Sequence, residues 1–97
     1  MIDELPIPPE TKTAKKSLEF ARGWIIDGTI YCSLNVGVWG KKEPAFWGRF
    51  LSDVAQHISD ALHKEKGLEK DTTVSAIRES FLKGLETSGA EFSGDFV

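Results

Sequence analysis

An Asp-Gly pair at positions 27–28, set between two runs of strand-forming residues, constrains this chain more than any other feature. A two-residue type I′ turn needs positive φ at both central positions, and Asp-Gly between alternating apolar residues is the strongest short-range signal for it. Such a turn dictates the register. Ile26 faces Thr29, Ile25 faces Ile30, Trp24 faces Tyr31 and Gly23 faces Cys32. Paired residues share a face of the sheet. One face then carries Ile25, Ile30, Cys32, Leu34, Val36 and Val38, all apolar. The other carries Trp24, Tyr31, Ile26, Thr29, Ser33 and Asn35. The competing reading is a helix running to Asp27 with Gly28 as its C-cap, followed by a lone strand. The clean sorting of side chains favours a hairpin over about 22–26 and 29–36, although residues 23–27 can be read either way. A two-stranded hairpin is marginal in water, so it needs helices on one face and leaves an open edge.

The rest of the chain supplies those helices. The segment 10–22 reads as a short helix on the spacing of Ala14, Leu18 and Ala21. After the loop at 40–44, Pro44 suits a first helical turn. A helix over about 45–66 then carries the apolar stripe Trp47, Phe50, Leu51, Val54, Ile58, Ala61 and Leu62. Gly67 stops it. A third helix, about 72–88, takes Asp71 or Thr72 as N-cap, turns Val74, Ile77, Phe81, Leu82 and Leu85 inward, and stops at Gly89. Before these elements lies an extended, Pro-rich arm at 1–9, with Pro6, Pro8 and Pro9. After them comes an apolar tail at 90–97, which contains Phe92 and Phe96. The expected fold class is α+β: an antiparallel hairpin packed against two main helices, with a short N-terminal helix, in a single small domain.

With 97 residues, folding alone is feasible but marginal. Three Trp, one Tyr and six Phe are a generous supply for so small a core, so some of them are expected at an interface. The net charge is −3 and the basic residues lie among acidic ones, which argues against a nucleic-acid partner. One cysteine excludes an internal disulfide. The first residues do not resemble a signal peptide, and no apolar run is long enough to span a bilayer. A cytoplasmic protein with no membrane association is the expectation.

Few residues suggest chemistry. Asp53, His57 and Asp60 fall within about 60° of one another on a helical wheel, where a carboxylate could orient an imidazole or the three could hold a metal. Helix surfaces place Asp and His at such spacings routinely, as weak pairs. Cys32 faces the expected core, where a thiol is protonated and inert. The Ser-x-x-Lys pattern at 80–83 lacks its companion motifs, and "GVWG" at 37–40 is no nucleotide fingerprint. No residue argues for an enzyme, and no cofactor is called for.

The aromatic pair Trp24 and Tyr31 is the better functional candidate, with Ile26 beside it and Phe92 and Phe96 in the tail. Large aromatics on the uncovered face of a sheet anchor interfaces, unless a helix or arm covers them. Trp39 and Trp47 flank the loop and either frame its packing or line a cleft beside His57 and Asp53. These residues lead to two expectations. The first is a homodimeric interaction module, open to a further protein partner. The alternative is a small-ligand or metal-binding domain near His57 and Asp53.

A succession of short motifs runs through the chain. "ELPIPP" (4–9) is followed by Trp24 with Asp27-Gly28, then by "SLNVG" (33–37) and Trp39. Trp47-Gly48, Asp53, His57-Ile58, Ala61, Ile77-Arg78 and Phe81 complete it. Together they resemble a small bacterial family, domain of unknown function number 5076. The resemblance implies bacterial origin and a compact domain that stands alone. It transfers no catalytic residue, because the family carries no assigned activity.

Overall fold

The structure, a computed structural model, describes residues 2–87. Its regular elements are strands β1 (Ala21–Ile26) and β2 (Thr29–Leu34) and helices α1 (Glu43–Lys66) and α2 (Lys70–Glu86), an α+β arrangement. Single 3-10 turns at Pro9–Lys12 and Gly40–Lys42 precede β1 and α1. Gly89 and the apolar tail at 90–97, with Phe92 and Phe96, lie outside the described residues.

The hairpin forms in the register that its turn demands. Asp27 has φ 49° and Gly28 φ 81°, the two positive values of a type I′ turn. Trp24 pairs with Tyr31, Ile25 with Ile30 and Gly23 with Cys32, out to Ala21 with Leu34. The Asn35 N–H donates to the Phe20 carbonyl at 2.9 Å and carries the ladder one step further. Strand β2 stops at Leu34, two residues short of expectation, and Gly37 at φ 88° turns the chain away.

The expected helix at 10–22 is a single 3-10 turn. The local hydroxyls explain the difference. Thr11 Oγ1 donates to the Pro8 carbonyl at 2.8 Å and Ser17 Oγ to the Thr11 carbonyl at 3.2 Å, giving the backbone an alternative to the helical ladder. Two alanines and one leucine are also too little apolar surface to hold so short a helix in place.

Helices α1 and α2 form a hairpin of their own. Gly67, at φ 71°, caps α1 by donating to the His63 and Leu62 carbonyls. His63 Nδ1 donates to the Leu68 carbonyl at 2.9 Å and holds the turn. The N-cap of α2 is Glu69, not Asp71 or Thr72; its carboxylate accepts from the Thr72 N–H at 2.8 Å and from the Thr72 hydroxyl. Ser59, 1% exposed, donates from Oγ to the Lys70 carbonyl at 3.1 Å, so the two helices meet most closely there. Lys70 also pairs with Asp60 at 3.3 Å.

The two hairpins meet only at their bases. No Cα atom of either strand comes within 8 Å of a Cα of either helix. The hairpin's apolar face therefore does not lie on α1 or α2 of its own chain. Among the described residues no hydrophobic side chain is buried.

Substituting Gly28 by Ala should destabilise the protein by about 1–2 kcal/mol, because the added Cβ meets no neighbour but the left-handed backbone is strained. Replacing Gly84, in the open flank of α2, should instead gain up to about 1 kcal/mol in the Gly84→Ala variant. Urea unfolding of both variants at one protein concentration checks the pair.

Candidate functional site

The junction between the two hairpins is built around one carboxylate. Glu43 begins α1, and its side chain turns back over the preceding loop. It accepts from the Gly37 N–H at 3.0 and 2.9 Å, from the Trp39 N–H at 3.1 Å and from the Trp47 indole Nε1–H at 3.0 Å. Those donors hold its carboxyl below the ordinary glutamate range, with the Gly37 amide first, then the Trp47 indole, then the Trp39 amide. Glu43 and Ser59 are the buried polar residues among those described.

Around this carboxylate lies an aromatic cluster centred on Phe20. Its ring meets Phe50 at 4.7 Å, Trp39 at 5.5 Å, Trp47 at 5.6 Å and Phe46 at 5.9 Å, mostly edge to face. Trp39 stacks on Phe46 at 4.1 Å. Phe20 is the last residue before β1, so it ties the strand's root to the first turns of α1.

The N-terminal arm is held by Arg22. Its guanidinium contacts Glu4 at 2.7 Å and Glu19 at 2.8 Å and lies 5.8 Å from the centre of the Trp24 ring. The arm and the segment leading into β1 frame a groove of about 640 Å³, with Leu5, Ile7, Trp24 and Phe50 in its walls.

The candidate residues fall in three places. Trp39 and Trp47 come together in the aromatic cluster, 6.2 Å apart. His57 is ten residues along α1 from Trp47, roughly 15 Å at a helix's rise, so these tryptophans and His57 do not line one cleft. Asp53, His57 and Asp60 are all exposed, no hydrogen bond joins Asp53 to His57, and Asp60 is engaged by Lys70. Among the described residues no group of three or more His, Cys, Asp or Glu side chains could hold a metal ion.

On the hairpin, Trp24 and Tyr31 are half-buried and Ile26 is exposed. The opposite face is the more open one, with Ile25 at 77% and Ile30 at 57% exposure. Reading the sequence missed Phe20, which it placed in a helix, and Glu43, whose backbone donors Gly37 and Trp39 lie in a loop. Glu43 and Trp47 at i, i+4 did carry a signal. A serine inside the apolar stripe of α1 was the corresponding hint at Ser59.

The model of the family Domain of unknown function (DUF5076) matches residues 4–88. This chain belongs to that family. The matched span takes in both hairpins and the Glu43 junction, so the architecture described above is the family's domain in this chain. No curated protein matches the chain. Among solved structures, one from the photosynthetic bacterium Rhodopseudomonas palustrus CGA009, named a "putative pyruvate dehydrogenase", shares 22% identity with a TM-score of 0.74. It covers 92% of this chain, which in turn covers 88% of it. At that identity the likeness shows a common fold. No helix among the described residues is long and apolar enough to cross a membrane.

Replacing Phe20 by Ala should cost about 3 kcal/mol, since one ring serves four neighbours. The pH dependence follows from Glu43. Its lowered folded pKa means that the unfolded chain takes up a proton first as the solution is acidified. The stability it contributes is complete above about pH 4.3, the ordinary glutamate value, and is lost as the pH falls through the lower folded one. Glu69, lowered mainly by the Thr72 hydroxyl and amide, acts in the same direction. Urea titrations followed by Trp fluorescence should show acid destabilisation between pH 5 and 3. That loss should be reduced in Glu43→Gln and reduced further when Glu69→Gln is added.

Proposed function

We propose that this chain is a non-enzymatic, homodimeric interaction module, whose work is done by surfaces that two copies complete together. The observation that carries this reading is the uncovered apolar surface. Large side chains such as Ile25, Ile30, Phe81 and Leu85 stand exposed on strands and helices rather than on loop tips. A bacterial, cytoplasmic setting belongs to the same reading. It is supported by the bacterial source of the similar structure and by a single cysteine, which permits no internal disulfide.

Light scattering coupled to gel filtration at micromolar concentration should give twice the chain mass of 10.7 kDa. The thermal midpoint should rise with protein concentration, as mass action requires when the folded form is a dimer. A monomer with a concentration-independent midpoint would overturn the reading.

A further inference from the structure

We infer that the dimer is reciprocal: the β1–β2 hairpin of one copy lies across the α1–α2 pair of the second and receives the second copy's hairpin on its own helices. This rests on the homodimer reading and specifies the surfaces that form it. Among the described residues two apolar faces are left uncovered. The first is the hairpin face with Ile25 and Ile30, which pair across the strands beside the turn, at the end farthest from the junction. The second is on the helices. Phe81, Leu82 and Leu85 of α2 and Leu51 and Ile58 of α1 are each 42% exposed or more, and Leu85 reaches 67%.

The two faces are exposed for a common reason. A hairpin is marginal until one of its faces is covered by a second layer, and a helix with an apolar stripe needs the same. Among the described residues the two layers do not cover each other, since Ile25, Ile30, Phe81 and Leu85 stay exposed. The Glu43 clasp and the Phe20 cluster fix the hairpin's base to the start of α1, and no strand Cα approaches a helix Cα within 8 Å. The alternatives leave surface behind. Joining hairpin to hairpin would leave the helical stripe in water, and joining helices to helices would leave Ile25 and Ile30 there. Seating each hairpin on the other copy's helices covers both faces with one two-fold operation. It also supplies, from a second copy, the layer of helices that the hairpin lacks in its own chain. The net charge of −3 per chain offers little repulsion to such a pairing.

Two double variants test this. One places Ile25→Asp and Ile30→Asp on the hairpin; the other places Leu82→Asp and Leu85→Asp on α2. In a reciprocal dimer each homodimer contains two damaged interfaces, so either variant alone should dissociate about 100-fold more readily. An equimolar mixture should recover association, because a heterodimer keeps one interface in which both faces are intact. If only one variant dissociates, or if both do and the mixture stays monomeric, the reciprocal pairing is wrong.

Isotope-filtered NOE spectra of the unaltered protein, mixed from labelled and unlabelled copies, make the test independent of variant folding. Contacts from Ile25 and Ile30 methyls to Phe81, Leu82 and Leu85 of the second copy are expected. A stable dimer that instead shows hairpin-to-hairpin or helix-to-helix contacts would overturn this inference while leaving the homodimer reading intact. A monomeric parent protein would overturn both.

Discussion

The whole arrangement hangs on the carboxylate of Glu43. A loop that turns through Gly37 and Trp39 points its amides inward, against aromatic rings that cannot accept a hydrogen bond as an oxygen does. Glu43 satisfies these donors together with the Trp47 indole. Bonds to an ionised acceptor are about twice as strong as neutral ones, and the start of a helix is a favourable place for negative charge. One side chain thus fixes the end of the loop, the first turn of α1 and the orientation of a tryptophan. The ring of Phe20 adds the root of β1 to the same point.

That concentration of contacts has a consequence for the rest of the chain. Hairpin and helices are joined at one place, and beyond it no strand Cα lies within 8 Å of a helix Cα. Apolar residues placed to face a second layer find none in their own chain, which is why no hydrophobic side chain is buried among the described residues. The same junction that gives the fold its shape leaves apolar residues of both the hairpin and the helices exposed. The similar fold of the Rhodopseudomonas palustrus protein over most of both chains shows that the architecture is not peculiar to one sequence.

Much of this was legible residue by residue where the governing interactions are local. Asp27-Gly28 and the alternation around it predict the register that forms, because a two-residue turn leaves the strands no choice of partner. Gly67 and Pro44 mark the bounds of α1 to within two residues. The segment 10–22 was misread because weak helical spacing was weighed without the hydroxyls of Thr11 and Ser17, which bond to nearby carbonyls instead. Glu69 was overlooked as a cap because Asp71 and Thr72 are the commoner choices.

What the amino-acid order determined by itself is therefore the set of elements, the hairpin's register and the sorting of its side chains onto two faces. These depend on backbone preferences and on neighbours a few residues away. Tertiary structure alone decided which face stays open. Trp24 and Tyr31 were the candidates for an exposed surface, yet Ile25 and Ile30 are the more exposed, because burial depends on what stands opposite each face. It also decided that Asp53 and His57 remain an unjoined pair on a helix surface while Glu43 gathers donors from a loop and a tryptophan. Periodicity can say that a face is apolar, but only the relative placement of the hairpin and the helices says whether anything in the same chain covers it.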